Sequence, residues 1–347
     1  MIKKINNIKN FGKPLKATYM LILASLFSSS MKAQVDPHFS QYYVYPSWLN
    51  PALTGAIDGD YRISGIYRSQ WGNVSSPFST PGISADVVTN KNMNFGAGVM
   101  NQTAGGGGYN YLNGYLSMAY TGLRFGKNGT QQIAIGYSVG VINRRFNPSK
   151  FQYGDQWNSV TGYSASNPGG EALSTTSSSV FDFGAGAVYY DAAPGKKANL
   201  FLGFSANHLT QPEDPFITSG TNAKLPIRYT AHGGVRLRLS ETVSFTPNFL
   251  YMRQGDAEEK MAGAYAQLRA NETTNLLLGA NYRIKDAIVP FAGIGYKNYV
   301  IGASYDINNS DLGNLVKGAS SFEISFSYTG RRKNSTKDPV EFICPRL

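Results

Sequence analysis

The sequence contains a single cysteine in 347 residues, Cys344, and only three histidines, His38, His208 and His232. One thiol cannot build a disulfide framework or a thiolate zinc site. No H-E-x-x-H motif occurs, and the histidines do not combine with serine or acidic residues into a recognisable catalytic pattern. We therefore expect no enzyme activity, no catalytic residue, no metal site and no cofactor.

Long hydrophobic runs are also missing. The mean hydropathy is −0.26, and a membrane-spanning helix needs about 20 consecutive apolar residues. The apolar stretch at residues 19–27 is shorter than this, follows a lysine-rich start and precedes the small residue Ala33. The pattern predicts a secretory signal peptide at residues 1–33, cleaved before Gln34. An N-terminal membrane anchor is the alternative, and a lipoprotein is not expected because no cysteine follows the stretch.

The positive charge is concentrated in this leader. It holds six of the 32 Lys and Arg residues and none of the 21 Asp and Glu residues, so removing it lowers the net charge from +11 to +5. No basic stripe remains outside the C-terminal tail, which argues against a nucleic-acid partner.

From about residue 61 onward the chain alternates between polar and apolar residues. Residues 226–239 place Tyr229 and Leu237 on one face and Arg228 and His232 on the other. A period of two predicts a strand with two different environments. Fourteen such strands are predicted: 61–71, 82–89, 93–102, 109–121, 130–142, 178–191, 197–209, 226–239, 243–253, 260–270, 275–284, 287–296, 299–307 and 320–328.

Short and long connections alternate between these strands. Those after even-numbered strands are short, and most of those after odd-numbered strands are longer, up to residues 143–177. Bacterial outer-membrane barrels have short periplasmic turns, long outer loops and an even strand number. The sequence therefore predicts an all-β fold, a transmembrane antiparallel β-barrel of about 14 strands in the outer membrane. A soluble β-sandwich or lectin-like barrel is the alternative.

Four parts follow from this: a signal peptide (1–33), an N-terminal non-barrel segment (34–60), the barrel (61–328) and a short basic periplasmic tail (329–347). Prolines 37, 46 and 51 exclude a continuous strand in the second part. It is interpreted as a plug in the lumen, a segment facing the periplasm, or only a linker. Its candidate site residues form one dense motif: Asp36, Pro37, His38, Phe39, Ser40, Gln41, Tyr42, Asn50, Pro51, Ala52 and Gly55.

This motif resembles the start of PorP/SprF family proteins of the type IX secretion system. The end of the chain is similar too, with Tyr305 to Asn308, Glu323 to Tyr328 and a basic tail closing on Cys344 to Leu347. The resemblance implies an outer-membrane barrel of Bacteroidota. It also implies a role in secretion or surface attachment of adhesins through their C-terminal sorting domain, in gliding motility or adhesion. A periplasmic peptidoglycan-binding protein is a further implied partner.

Three other groups of residues are candidates for function. The longest loop offers aromatic side chains for cargo binding, or folds over its own barrel mouth. The polar face of strand eight predicts a cationic lumen, and the tail is either a solvated extension or a docking peptide. The loop residues are Phe146, Phe151, Tyr153, Trp157 and Tyr163; those of the lumen are Arg228, His232, Arg236 and Arg238; those of the tail are Arg331, Arg332, Lys333, Cys344, Pro345, Arg346 and Leu347.

Two functions remain open. The first is an outer-membrane partner of the type IX machinery that captures a secreted cargo protein. The second is a channel for a hydrophobic or small solute, because Asn50-Pro51-Ala52 and 14 strands are also similar to the fatty-acid-transporter barrels. A cationic lumen favours a plugged barrel or an anionic solute over a lipid tail.

Overall fold

The structure is a computed structural model that describes residues 36–72, 76–89, 91–164, 166–167, 176–213, 224–310 and 320–332. The predicted signal peptide and the tail beyond Arg332 lie outside these residues. Fourteen antiparallel strands of the described chain close into one barrel, which confirms the predicted fold class. They are β1 Tyr61–Gln70, β2 Phe78–Val88, β3 Met93–Ala104, β4 Tyr109–Phe125, β5 Gln131–Phe146, β6 Ser177–Asp191, β7 Ala198–Asn207, β8 Arg228–Arg238, β9 Val243–Gln254, β10 Ala257–Arg269, β11 Thr274–Arg283, β12 Ala287–Tyr296, β13 Tyr299–Asn308 and β14 Ser321–Gly330.

Each strand pairs with its neighbours in chain order, and β1 pairs with β14 to close the wall. The closing register runs from Tyr61 opposite Gly330 to Gln70 opposite Ser321. Closure leaves no strand edge exposed to lipid, where unpaired backbone N–H and C=O groups would be costly.

The alternation in the sequence becomes an inward polar face and an outward apolar face. In β14, Ser321, Glu323 and Ser325 are buried, whereas Phe322 is 40% and Ile324 is 52% exposed. The exposed side chains are the large apolar ones because lipid, rather than water, surrounds the wall. No helix among the described residues is long and apolar enough to cross a membrane.

The two rims of the barrel differ. We call the rim with connections 89–92, 126–130, 192–197, 239–242, 270–273 and 297–298 the short-turn end; β1 begins and β14 ends there. The opposite rim, with connections 71–77, 105–108, 147–176, 208–227, 255–256, 284–286 and 309–320, is the long-loop end. In bacterial barrels, long loops face the cell exterior and short turns face the periplasm.

The largest differences from the predicted strand bounds occur at both ends of the barrel: β4 continues to Phe125 at the short-turn end, and β2 and β5 differ at the long-loop end. β5 continues to Phe146, which was expected in a loop, because Asn143 to Phe146 still pair with β4. β2 begins at Phe78 rather than residue 82, since Pro81 lies within the strand opposite Tyr67.

Residues 36–60, which we call the plug, lie inside the barrel. They contain a turn of α-helix, Pro46–Leu49, between the 3₁₀ turns Tyr42–Val44 and Pro51–Leu53. Proline at the first position of the second and third elements suits a helix start, where its missing N–H costs nothing. Apart from Trp48 and residues 57–59, every plug residue is buried.

Candidate functional site

The plug runs the length of the lumen, from the long-loop end to the short-turn end. Asp36 contacts His208 and Arg228, which lie where β7 ends and β8 begins. At the other end, the Asp60 N–H donates to the Gly330 carbonyl at 2.8 Å. Asp36 therefore lies at the rim opposite to the one where β14 ends and the tail begins.

Asp36 belongs to a buried cluster with His208, Arg228 and Asp182. His208 Nε2 lies 2.6 Å from Asp36 Oδ2, its Nδ1 lies 3.0 Å from Asp182 Oδ2, and Arg228 Nη1 donates to Asp36 Oδ2 at 2.8 Å. Burial lowers the pKa of His208, but the two carboxylates raise it to about 9. Burial raises the pKa of Asp36, but the positive His208 and Arg228 hold it at about 2. Because a carboxylate faces each ring nitrogen, His208 anchors the plug and has no nitrogen left for general-base catalysis.

Arg228 joins this cluster to the plug helix. Its Nη2 donates to the Trp48 carbonyl at 2.9 Å, and its guanidinium carbon lies 4.1 Å from the centre of the Trp48 ring. Trp48 Nε1 in turn donates to the Pro37 carbonyl at 3.3 Å. A stacked guanidinium with charged and carbonyl partners fixes the entry of the plug at the long-loop end.

A second buried network centres on Ser40, and we call it the Ser40 network. Glu323 of β14 accepts hydrogen bonds from the Ser40 N–H at 2.6 Å and the Gln41 N–H at 2.8 Å. Arg68 of β1 donates to Ser40 Oγ at 2.8 Å and to Asp306 at 2.8 Å. It also donates to Glu323 at 2.5 Å, so this ion pair bridges the closing seam between β1 and β14.

His38 lies next to this network but carries no charge at neutral pH. Burial lowers its pKa well below 6.5, and the nearby positive Arg283 and Arg68 lower it further. Its contact with Glu259, at 3.8 Å, is therefore not an ion pair under these conditions.

Asn50 fastens the middle of the plug to the wall. Its side-chain amide donates to the Ala187 and Phe204 carbonyls at 3.2 Å, and its oxygen accepts from the Ala52 N–H at 3.0 Å. The wall has a glycine patch here, in which Gly136 pairs with Gly186 across β5 and β6. A Cβ on Gly136 would overlap Ala52 N, and one on Gly186 would overlap Asn50 Oδ1. The Asn50-Pro51-Ala52 motif thus packs so closely against the backbone of the wall that Gly136 and Gly186 have no room for a Cβ atom.

Gly55 lies next to Ala56, the last residue of the continuous buried stretch of the plug, at a position that requires glycine. Its φ is +70°, and a Cβ there would lie 2.5 Å from the Asn94 side chain. Its N–H donates to Asp86 Oδ2 at 2.6 Å, while Arg62 donates to both oxygens of Asp86 at 2.9 and 2.8 Å.

The longest loop contains a two-residue β-hairpin, Trp157–Asn158 against Gly162–Tyr163. The Trp157 and Tyr163 rings lie 5.6 Å apart, and Trp157 is 58% and Val160 at the tip 88% exposed. Gln156 supports the hairpin, since its side chain accepts from the Tyr153 N–H at 2.9 Å and donates to the Asn167 carbonyl at 3.0 Å. Two of the predicted loop aromatics, Trp157 and Tyr163, are thus exposed to solvent on a supported hairpin. Phe151 and Tyr153 are half-buried, and Phe146 lies in a strand.

The remaining candidate residues lie in different places. Arg228 and His232 are buried in the lumen, and Arg236 and Arg238 are half-buried towards the short-turn end. Arg331 and Arg332 are exposed at the short-turn end, where Arg331 pairs with Asp58. Lys333, Cys344, Pro345, Arg346 and Leu347 lie outside the described residues.

Sequence reasoning missed four plug contacts. Arg68, Arg283 and Asp306 each form a hydrogen bond with Ser40 Oγ, and Asp86 accepts one from the Gly55 N–H. The available signal was a charged residue on the polar face of a predicted strand, a position that faces the lumen. It could not identify which of these residues meet one another, because they lie on strands far apart in the sequence.

Two kinds of chemical site can be compared with the described residues: a metal-binding cluster and a nucleophile elbow. No group of His, Cys, Asp and Glu among them could hold a metal ion. Residues 136–140 read G-x-S-x-G, but Ser138 lies within the extended strand β5. A nucleophile elbow requires a sharp strand-to-helix turn, which this position lacks.

The likeness to solved structures is distant. The TbuX toluene transporter of Ralstonia pickettii has 12% identity and a TM-score of 0.49, with 81% of this chain and 92% of TbuX covered. The TodX toluene transporter of Pseudomonas putida has 8% identity and a TM-score of 0.48, with 84% and 94% covered. The KdgM porin has 7% identity and a TM-score of 0.37, with 77% and 98% covered. No curated protein matches the sequence.

A family model covers most of the chain. The model described as "Type IX secretion system membrane protein PorP/SprF" matches residues 31–328. This range includes the residues of the whole plug and nearly all of β14. The chain belongs to the PorP/SprF family of type IX secretion system membrane proteins and forms a β-barrel in the bacterial outer membrane.

Proposed function

We propose that this barrel binds a secreted cargo protein at its long-loop end and couples it to the type IX machinery. The cargo is expected to be an adhesin, recognised through its C-terminal sorting domain, for secretion or surface attachment in gliding motility or adhesion. The observation that carries the proposal is family membership over residues 31–328. The filled lumen supports it, since buried charges and close packing hold the plug between Asp36 and Asp60.

The hairpin Trp157–Tyr163 is the proposed contact for cargo. Its exposed Trp157 and Tyr163 rings and its supported base give a rigid aromatic surface, which protein-binding sites favour. The predicted tail begins two residues later than expected, because β14 continues to Gly330. The tail from Arg331 is proposed to face the periplasm and to dock a machinery component, such as a peptidoglycan-binding protein.

An affinity pulldown from native outer membranes tests cargo binding. Tagged wild-type protein should recover a large secreted adhesin, identified by mass spectrometry, and Trp157→Ala/Tyr163→Ala should recover much less. The matched control, Ser159→Ala/Thr161→Ala, changes the same turn without removing an aromatic ring and should recover cargo normally. A barrel recovered alone, from cells that are exporting cargo, would overturn the proposal.

Conductance in planar bilayers separates cargo capture from a solute channel. The wild-type barrel should be closed, and a variant lacking residues 36–56 should conduct, because the plug fills the lumen. Solute flux through the wild-type protein in liposomes, without any cargo, would favour the channel for a hydrophobic or small solute instead.

Labelling in intact cells tests the position of the tail. In a Cys344→Ser background, Lys333→Cys should be protected from an impermeant thiol reagent, whereas Ser159→Cys in the hairpin should react. Labelling at position 333 would contradict a periplasmic tail.

A further inference from the structure

The short-turn end exposes a positive charge on most of its turns. Exposed cations lie in or beside the connections β2–β3, β4–β5, β6–β7, β10–β11 and β12–β13: Lys91, Lys127, Lys197, Arg269 and Lys297. We call these five residues the basic rim. Glu241 and Glu272 are the exposed acids in the described turns of this end. The basic rim therefore carries an excess of positive charge.

Some other cations of this end are already neutralised. Lys196 pairs with the buried Asp191, and Arg331 pairs with Asp58. They are left out of the basic rim for this reason.

Among its described residues, the long-loop end exposes fewer cations and more acids than the short-turn end. Exposed Arg145, Lys150, Lys224, Arg253, Lys260 and Lys285 lie among exposed Asp155, Glu213, Asp256 and Glu258. Lys260 pairs with Glu258 at 3.0 Å. The excess at the other rim is thus a local feature and not a consequence of the net charge.

The basic rim lies where outward aromatic side chains end. Phe125 and Tyr296 are 42% and 50% exposed, and both sit at the short-turn ends of their strands. Lys297 Nζ lies 5.3 Å from the centre of the Tyr296 ring. Aromatic rings mark the interface level of an outer-membrane barrel, and lysine and arginine side chains extend from that level to lipid headgroups.

We propose that the basic rim binds the headgroups of anionic phospholipids in the leaflet at the short-turn end. The cations belong to turns spread around the 14-strand wall, and a lipid leaflet contacts every side of that wall. An acidic protein docking on one side would reach only some of them. Each cation near an anionic surface strengthens binding by about fivefold.

The test compares lipid retention by three forms of the full chain, each purified in a non-ionic detergent. The rim variant is Lys91→Gln/Lys127→Gln/Lys197→Gln/Arg269→Gln/Lys297→Asn. The control variant is Arg145→Gln/Lys150→Gln/Arg253→Gln/Lys260→Gln/Lys285→Asn. Both remove five charges, and asparagine is used at Lys285 and Lys297 because their φ values are +64° and +53°. Heat-modifiable migration on gels confirms that each variant is folded.

Native mass spectrometry then counts bound phosphatidylglycerol and phosphatidylcholine, with and without polyglutamate as an acidic competitor. Wild type and the control variant should retain phosphatidylglycerol at least tenfold better than phosphatidylcholine, and the rim variant should lose this preference. Three results would overturn the proposal: no preference in the wild type, an equal loss in both variants, or retention of polyglutamate in place of phosphatidylglycerol. The last would indicate an acidic polypeptide as the partner.

Discussion

The two halves of the plug are held in the lumen by different forces. Residues 36–41 are held by buried charges, with Asp36 on His208 and Arg228, and Ser40 among Arg68, Asp306 and Glu323. Residues 50–55 are held by close backbone packing on wall glycines and by hydrogen bonds from Asn50 and Gly55. A change of charge should therefore destabilise the half of the plug at the long-loop end. The other half should be destabilised when a larger side chain replaces one of the wall glycines.

The largest effect is expected from breaking the Ser40 network. Arg68→Met removes a buried cation and leaves Asp306 and Glu323 short of a partner, which should lower the free energy of unfolding by about 3–5 kcal/mol. Urea unfolding in detergent, followed by tyrosine and tryptophan fluorescence, measures it. Arg253→Met, an exposed arginine of the same end, is the control and should change little; equal losses would refute the role of the network.

The Asp36 cluster should make the charged half sensitive to pH. His208 has a raised pKa of about 9, so its stabilisation is complete below its unfolded pKa of about 6.5 and is lost as the pH rises through 9. Asp36 has a lowered pKa of about 2, so its stabilisation is present above about pH 4 and is lost as the pH falls through 2.

Between pH 6.5 and 10 the free energy of unfolding should fall by up to about 3 kcal/mol. His208→Gln should remove most of this slope, whereas Gly136→Ala, in the packed half, should leave it intact. A His208→Gln slope as steep as that of the wild type would show that another group titrates.

The packed half should respond to one added methyl group. Gly136→Ala would overlap Ala52 and should cost about 1–3 kcal/mol of stability. Gly114→Ala, in the neighbouring strand β4, is the matched control, because no atom lies within 4 Å of its added Cβ. Equal midpoints of heat-modifiable migration for the two variants would contradict the close approach of plug and wall.

The smallest effect is expected from a single wall hydroxyl. Ser205 Oγ donates to the Leu49 carbonyl at 2.8 Å, so Ser205→Ala should cost about 1 kcal/mol. Ser79→Ala, which removes an exposed hydrogen bond to Tyr67, should have no measurable effect. Urea midpoints that shift equally would show that the hydrogen bond to the plug contributes nothing.

The strands were predictable because their signal is local. β12 Ala287–Tyr296 matches its predicted bounds. Buried and more exposed residues alternate in β8 from Arg228 to His232 and in β14 from Ser321 to Phe326. The same alternation predicted that Arg228 and His232 face the lumen. Family resemblance, carried by the motif at Asp36 to Gly55 and by the chain end, was confirmed over residues 31–328.

The plug was less predictable because its contacts are remote in sequence. Residues 36–60 have no periodicity, so the sequence left a plug, a periplasmic segment and a linker open. The Ser40 N–H meets Glu323 across 283 residues, and that meeting exists only after β1 has closed on β14. No local pattern gives the direction in which the plug runs.

The sequence by itself determined the strand number, the two faces of the wall and the membrane location. The reason is that strands with alternating polar and apolar residues fit a barrel whose polar face lines the lumen and whose apolar face contacts lipid. Only the tertiary structure decided where the plug lies, which charges hold it and which glycines it packs against. These depend on barrel closure, which brings side chains from opposite ends of the chain into one low-dielectric interior, where each buried charge requires a partner.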